Sequence, residues 1–179
     1  MISAWRYNES DEDQRELHQF TPNREVPVSE LVELGILYWN VDVTGPLYLE
    51  KVDTISHERG YKNKDIIDIS KATLPNFEEK IKTFFEEHIH EDEEIRFILE
   101  GSGYFDVRDK SDQWIRVACK QSDLLPAGIY HRFTLDTANH LKAMRLFKEN
   151  PKWIPINRSK ETDTNQFHVE YLHNIAKEL

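Results

Sequence analysis

From His88 to Phe147, the apolar side chains recur at every second residue in a series of short runs. Turn-forming residues interrupt these runs at positions 101–103, 110–112 and 126–128. Since successive side chains of a strand point to opposite faces, each run predicts a short strand with one buried face. Short strands separated by turns are typical of β-sandwiches and β-barrels. We therefore expect a mainly β fold with flanking helices, of the α+β class.

Helical patterns flank this β region on both sides. In the first part of the chain we predict a short helix over 29–34 that ends at Gly35, a strand over 36–41 and a helix over 48–58. A final amphipathic helix is predicted over 166–177. These segments carry no chemical motif, so we expect them to pack around the β region.

A clearer helix is predicted directly after Pro75. Asn76 is placed to cap this helix, and Glu79 stands three residues further on, as in a capping box. Apolar and aromatic residues then follow at helical spacing up to a histidine: Phe77, Ile81, Phe84, Phe85 and His88. We expect this helix face to bring aromatic rings next to His88.

The charge and hydropathy of the sequence limit the kinds of partner that the protein is expected to bind. The formal net charge is −10, and the basic residues are scattered. This balance argues against nucleic acid, because phosphate binding depends on clustered Lys and Arg. No stretch approaches the ~18 apolar residues needed to cross a bilayer, and the N-terminus lacks the apolar core of a signal peptide. We expect a soluble, intracellular protein with no membrane partner.

Cys119 is the single cysteine of the sequence. One cysteine excludes both an intramolecular disulfide and a metal site built from several thiolates, and it fits a reducing compartment. Because Cys119 ends an alternating run that begins at Trp114, we interpret it as a small buried hydrophobe rather than a nucleophile.

A local His-x-His motif is the first candidate for chemistry. His88 and His90 project from the same face if they lie on a strand, so both imidazoles can bind one ion. Glu94 follows after enough chain for a turn, with Asp92 and Glu93 as turn residues. Two histidines and one carboxylate form the facial set of non-haem iron enzymes. The alternative is a solvated charged edge, which is the commoner meaning of His-x-His in an acidic stretch.

A distant motif adds His131 as a fourth ligand. It ends the pattern Pro126-x-Gly128-x-x-His131, which opens another alternating run. Together, the two patterns have the two-part spacing of the cupin superfamily, whose double-stranded β-helix, or jelly-roll, barrel brings both halves together. The five other histidines have no metal spacing, and we assign them to surface or packing positions: His18, His57, His140, His168 and His173.

A longer resemblance extends from these ligands over most of the chain. The sequence resembles acireductone dioxygenases of the eukaryotic type over six blocks: Phe84–Arg96, Leu99–Asp109, Trp114–Arg116, Leu125–Leu135, Ala143–Phe147 and Asn157–Arg158. It extends more loosely to residues 34–36 and 74–78. The family's three His and one Glu correspond to His88, His90, Glu94 and His131.

The resemblance implies a metal-dependent dioxygenase of methionine salvage that cleaves 1,2-dihydroxy-3-keto-5-methylthiopentene with O2. It implies one Fe²⁺, giving formate and 4-methylthio-2-oxobutanoate, or Ni²⁺ instead, giving carbon monoxide, formate and 3-methylthiopropanoate. It also implies a monomer in the cytoplasm, with the nucleus as a second location, and acireductone and O2 as partners. The donor set alone does not select the metal, because three His and one Glu accept several divalent ions.

Four further residues are candidates for substrate binding. Arg96 lies two residues past Glu94 on the same strand face, so we expect it to pair with the anionic substrate. A surface salt bridge is its alternative role. Phe84, Phe105 and Phe133 are candidate walls of a pocket for the methylthio group, with ordinary core packing as the alternative.

We treat residues 1–179 as a single cupin domain. Residues 1–75 are interpreted as an N-terminal extension packed on the barrel, 76–150 as the metal-binding barrel core and 151–179 as a tail with a helix.

One departure from the family pattern lies in Gln121–Pro126, which is two residues shorter than usual and lacks a glycine. Loss of two residues preserves the face of each remaining side chain. The shortened segment leaves an alternative function open: a non-catalytic cupin, or a cupin that catalyses another reaction.

Overall fold

The structure is a computed structural model that describes residues 2–119 and 122–177. Its strands are β1 (Ser3–Arg6), β2 (Leu37–Trp39), β3 (Asn63–Ser70), β4 (His88–Ile89), β5 (Glu94–Gly101), β6 (Gly103–Arg108), β7 (Trp114–Cys119), β8 (Ser122–Leu125), β9 (His131–Leu135), β10 (His140–Phe147) and β11 (Ile156–Asn157). Its helices are α1 (Val28–Glu33), α2 (Tyr48–Arg59), α3 (Phe77–Phe84) and α4 (Gln166–Lys177), with one turn of 3₁₀ helix at Thr162–Thr164. This content confirms the predicted mainly β fold with flanking helices.

Two antiparallel sheets contain all of these strands. The first has the order β1-β7-β6-β9-β4-β11, and the second has the order β2-β8-β5-β10-β3. Neighbouring strands often come from distant parts of the chain, as in β9 beside β4 and β10 beside β3. This interleaving is the jelly-roll connection that brings the two halves of the metal motif side by side.

The main core lies between the two sheets. The second sheet contributes Ile98, Leu141 and Ala143, and the first contributes Phe105 and Val117, all of them buried. These residues alternate with outward-facing neighbours along their strands, as the period of two predicts. Burying each large apolar side chain stabilises the fold by about 1.5–3 kcal/mol.

Helix α2 covers the outer face of the second sheet. Val52 and Ile55 pack there against Ile95, Phe97 and Met144 of β5 and β10. The central part of β5 is therefore buried on both faces. Its polar residues Glu94 and Arg96 alternate with this cluster and so face the interior of the barrel.

The outer face of the first sheet is covered by the N-terminal segment. Arg116, which has no exposed surface, donates to both carboxylate oxygens of Asp106 and to the carbonyls of Gln14 and Glu16. Arg132 donates to the same carboxylate at 2.9 Å. Because Arg132 follows His131 on β9, the alternation of the strand directs His131 to the opposite, inner face.

Most predicted elements are confirmed, with small shifts at their ends. The helix predicted over 29–34 is α1, the strand predicted over 36–41 is the shorter β2, and α4 has the predicted bounds. Helix α2 extends one residue past the predicted end and stops at Gly60, whose φ is +72°. A glycine at that position adopts the left-handed conformation without steric cost.

The capping box at Asn76 is wrong. Asn76 itself adopts a left-handed conformation, and its side chain makes no capping hydrogen bond. Its carbonyl instead accepts from the backbone of Glu79 and Lys80. The helical face also ends earlier than predicted, because α3 stops at Phe84 and His88 belongs to β4.

Strand β3 is absent from the sequence-based prediction. Its residues read Asn-Lys-Asp-Ile-Ile-Asp-Ile-Ser, and it pairs with β10 along its whole length. Consequently, residues 1–75 supply three strands to the two sheets, and residues 151–179 supply β11. None of the helices within the described ranges combines the length and apolarity that a membrane span requires.

Candidate metal centre

His88 and His131 lie directly opposite each other on the neighbouring strands β4 and β9. The Nδ1 atom of His88 donates to the carbonyl of Glu86 at 2.7 Å, and that of His131 donates to the carbonyl of Ile129 at 2.9 Å. Since a carbonyl oxygen only accepts, these contacts leave the lone pair on Nε2 in each neutral ring. Both histidines therefore present Nε2 to the barrel interior.

His90 and Glu94 complete a group of four. One Glu94 oxygen, Oε2, lies 3.0 Å from Nε2 of His131 and 3.2 Å from Nε2 of His90. Together with His88 and His131, each of these residues offers one potential ligand atom. The four atoms all lie within 4.8 Å of one another. The structure thus brings together all four residues that the two-part motif predicts.

The contacts of this group fit a bound cation. A neutral His131 that donates through Nδ1 directs its Nε2 lone pair at the Glu94 carboxylate, which is an unfavourable contact unless a positive charge lies between them. In addition, Nδ1 of His90 is buried and has no hydrogen-bond partner among the described residues. Three imidazoles and one carboxylate are a donor set that Fe²⁺, Ni²⁺ and related ions accept.

The protonation states of the group also suit metal binding. Burial, followed by the nearby His131, lowers the pKa of His88 to about 3, so this ring is neutral near pH 7. Burial acts to raise the pKa of Glu94, but Arg96 and His90 outweigh it and hold that pKa well below its usual value. A neutral imidazole and an ionised carboxylate are the forms that bind metal ions.

Arg96 lies beside the group, on the inner face of β5. Its guanidinium is 2.5 Å from Oε1 of Glu94, the oxygen that the histidines do not contact. The salt bridge of Arg96, which the sequence offered as its alternative role at the surface, is an internal ion pair at the wall of a cavity. The position leaves the guanidinium within reach of any anion bound next to Glu94.

A cavity of about 350 Å³ opens beside the four residues. Phe84, Phe105 and Phe133 all line it, and the ring centres of Phe105 and Phe133 are 5.2 Å apart. The same three rings contact the main core, so they serve both the pocket and the packing. The volume falls in the range of small-molecule sites.

The cavity has further lining residues that the sequence-based reasoning missed. Arg145 lies opposite Arg96 in the register of β10 and β5, and it forms a two-pronged ion pair with Asp65. Its guanidinium also stacks over Phe147 and Trp153. The sequence shows only that Arg145 shares a strand face with Ala143, two residues earlier, and this alone does not assign Arg145 to the cavity.

The remaining histidines occupy the positions expected of them. His18 and His168 are buried and hydrogen-bonded to backbone carbonyls, whereas His57 and His173 are exposed and His140 is partly exposed. The predicted burial of Cys119 is confirmed.

The shortened segment before Pro126 ends in β8, which pairs with β5 so that Leu125 lies opposite Glu94. Gln121, the first residue of that segment, lies outside the described residues. His131 nevertheless joins the other three candidate ligands.

Two antiparallel sheets in jelly-roll order, with three histidines and one glutamate converging inside, define a metal-binding cupin. Comparisons with known proteins agree with this class. The family model described as the ARD/ARD′ family matches residues 3–155. The chain belongs to this family of acireductone dioxygenases.

Named relatives of this chain also belong to the acireductone dioxygenases, and they match it over most of its length. The chain is 51% identical over 179 residues to "Acireductone dioxygenase" of Rattus norvegicus, covering 98% of this chain and 100% of the relative. It is 55% identical over 156 residues to "Acireductone dioxygenase 1" of Coprinopsis cinerea, covering 84% of this chain and 86% of the relative. These identities make this chain a metal-dependent dioxygenase of the acireductone dioxygenase type.

A solved structure supports both the fold and the metal. "Acireductone dioxygenase from Bacillus anthracis with cadmium ion in active center" superimposes with a TM-score of 0.65 at 27% identity, covering 75% of this chain and 93% of that one. The predicted cupin fold is thereby confirmed. A metal ion in that protein's active centre agrees with the His and Glu group of this chain.

Proposed function

We propose that this acireductone dioxygenase cleaves 1,2-dihydroxy-3-keto-5-methylthiopentene with O2 in methionine salvage. The observation that carries the proposal is the convergence of His88, His90, Glu94 and His131 at a largely apolar cavity that Arg96 also lines. A small anionic substrate with an apolar tail matches this combination of charged and apolar lining residues. The names of the relatives support the same reaction class.

The four candidate ligands would hold one Fe²⁺, or Ni²⁺ as an alternative. When bound, the ion would act as a template and charge stabiliser for the oxygens of a chelating enediolate. We propose that the iron form yields formate and 4-methylthio-2-oxobutanoate, and that the nickel form yields carbon monoxide, formate and 3-methylthiopropanoate. The intrinsic affinity order favours nickel, so the resident ion depends on which metal the cell supplies.

Arg96 has the role of holding the substrate in its deprotonated form. Its guanidinium contacts one oxygen of Glu94 at 2.5 Å and donates to the carbonyl of Ile95 at 3.1 Å, and the side chain lines the cavity. A charge-assisted hydrogen bond to a substrate oxygen would lower the substrate's pKa, because the charged form gains the interaction. In a cavity with few competing waters, such a bond is stronger than in solution.

The three phenylalanines form the apolar part of the cavity. Phe105 contacts His131 with ring centres 6.1 Å apart, and Phe133 lies between Phe105 and Phe84. The rings therefore form a series of contacts that begins beside His131. We propose that the methylthio group lies along this wall, where sulfur–aromatic contacts favour it.

The proposal also includes a monomer that acts in the cytoplasm and in the nucleus. The buried thiol of Cys119 is compatible with such reducing compartments.

A direct test measures metal content and products together. Protein purified without oxygen is analysed for metal, loaded with Fe²⁺ or Ni²⁺, and mixed with the acireductone and O2. We expect about one ion per chain, with formate and the keto acid from the iron form and carbon monoxide only from the nickel form. Substrate decay no faster than in buffer would refute the enzyme, and one bound ion without turnover would instead support a non-catalytic cupin.

A pair of variants tests the fourth ligand. His131→Ala should lose both bound metal and turnover, because it removes one of four converging donors. His57→Ala is the matched control, since His57 is an exposed residue of α2. Full metal content and turnover in His131→Ala would remove this residue from the site.

A further inference from the structure

The turn that joins His90 to Glu94 consists of three acidic residues, Glu91, Asp92 and Glu93. Three adjacent carboxylates repel one another, and without partners they would favour an open, solvated loop. In the structure, each carboxylate accepts hydrogen bonds from a different part of the chain. The turn between two candidate ligands is therefore held by hydrogen bonds at three positions.

Glu93 is held from the side of α2. The hydroxyl of Tyr61 donates to Oε2 of Glu93 at 2.6 Å, and the guanidinium of Arg59 pairs with Oε1. Both donors flank Gly60, which ends α2, and α2 is itself packed on the outer face of β5. The Glu93 carboxylate is thus held by an ion pair with Arg59 and by a hydrogen bond from Tyr61.

Asp92 and Glu91 are held from the side of the C-terminal tail. The backbone N–H of Lys152 donates to Oδ2 of Asp92 at 2.6 Å. The side-chain amide of Asn165, which directly precedes α4, donates to Oε1 of Glu91 at 3.1 Å. The tail thus contacts the turn at two positions that are far apart in its own sequence.

The same tail also reaches the second half of the metal motif. The backbone N–H of Gly128 donates to the carbonyl of His90 at 2.9 Å, and Nδ1 of His168 donates to the carbonyl of Gly128 at 2.8 Å. The start of α4 therefore contacts Gly128, three residues before His131. Both halves of the motif are tied to one surface of the tail.

We propose that Glu91, Asp92 and Glu93 are positioning residues whose anchors on α2 and the tail fix the separation of His90 and Glu94 and thereby retain the metal. The proposal rests on the metal site of the proposed function and extends it to the end of α2 and to the C-terminal tail. Outer partners that orient ligands typically contribute about 10–100-fold in metal affinity. Glu93 should contribute most, since its bonds join charged groups.

The experiment measures metal release rather than turnover. Protein loaded with Co²⁺ is mixed with an excess of chelator, and the loss of its visible absorption gives the release rate. We expect Glu93→Gln to release the ion about 10–100-fold faster than the wild type, with an altered Co²⁺ spectrum. Tyr61→Phe, which removes a single hydroxyl, should change both in the same direction.

Tyr171→Phe is the matched control. Tyr61 and Tyr171 are both 7% exposed, but the Tyr171 hydroxyl donates to the carbonyl of Leu34, away from the turn. This variant should lose thermal stability to a similar degree while releasing metal at the wild-type rate. It separates loss of a buried hydrogen bond from loss of the anchor.

Asp92 provides a test by conservative replacement. Because its partner is a backbone N–H, Asp92→Asn keeps an acceptor and should retain the metal, whereas Asp92→Ala should release it faster. Release rates within twofold of the wild type for Glu93→Gln, Tyr61→Phe and Asp92→Ala would overturn the anchoring role alone. Wild-type protein that binds no metal would overturn the proposed function together with it.

Discussion

Gly128 is a position where the structure predicts a large effect of adding one methyl group. Its φ is +82°, and a Cβ built there would lie 2.3 Å from the carbonyl oxygen of Phe167. The left-handed backbone costs an alanine about 1–2 kcal/mol. The overlap with this backbone oxygen adds about 1–3 kcal/mol, which is the destabilisation typical of overpacked cores. Gly128→Ala should therefore lower the free energy of unfolding by about 2–5 kcal/mol.

Gly60→Ala is the matched control for the backbone part of this loss. Gly60 has a φ of +72°, but nothing lies within 4 Å of the Cβ that would be added. Its cost should be only the conformational one, about 1–2 kcal/mol. Chemical denaturation of the metal-free proteins, followed by circular dichroism, measures both variants on one scale. The difference between them isolates the contact with α4.

Gly128→Ala should also weaken metal binding, because its N–H donates to the carbonyl of His90 and α4 must move to admit the methyl group. In chelator competition, this variant should lose metal faster than Gly60→Ala. If both variants unfold at the same denaturant concentration and keep their metal equally, the steric reasoning at Gly128 is wrong.

Three other changes have defined outcomes. Arg96→Met should lower kcat/KM by about 100–1,000-fold, as expected for loss of a charge-stabilising donor, while metal analysis still finds the ion; unchanged kinetics would exclude the proposed role. Phe133→Ala should raise KM for the acireductone more than for a substrate analogue without the methylthio group, and equal effects on both would contradict the proposed position of the tail. Removing the metal should lower the melting temperature in calorimetry, because an ion at 100 times its Kd stabilises the native state by about 2.7 kcal/mol. Identical melting curves with and without metal would argue against a site in the folded protein.

The strands of the barrel were predictable because the face of each strand toward the core is apolar and the opposite face is not. In β6, Phe105 and Val107 face the core and alternate with Asp106, so the period of two is present in the sequence itself. Strand β3 was missed although Ile67 and Ile69 alternate in it. Its other residues are mostly polar, and its pairing with β10 depends on partners seventy or more residues away.

Helix α3 shows a limit of local patterns. Its apolar face predicted a helix that continues toward His88, but the chain leaves the helix at Phe84 to form β4 beside β9. Phe85, beyond the end of the helix, packs against the guanidinium of Arg132 instead of the cavity. Strand pairing, which is a tertiary interaction, overrode the helical spacing here.

Spacing in the sequence was enough to identify His88, His90, Glu94 and His131 as one group, since each half of the motif has a fixed local geometry. The roles of Arg145 and of the acidic turn were not accessible in this way. Arg145 needs its partner Asp65 and its neighbour Arg96 before it can be assigned to the cavity.

The sequence by itself determined the alternation of the strands, the donor atoms of the metal site and the family of the chain, because each depends on residue identity and short spacing. Only the tertiary structure decided what surrounds those donors: the neutral state of His88, the contact of Arg96 with Glu94 and the three anchors of the turn at 91–93. The physical reason is that burial, charge pairing and hydrogen bonds join residues from separate strands and helices. Their energies are set by distances that no local pattern contains.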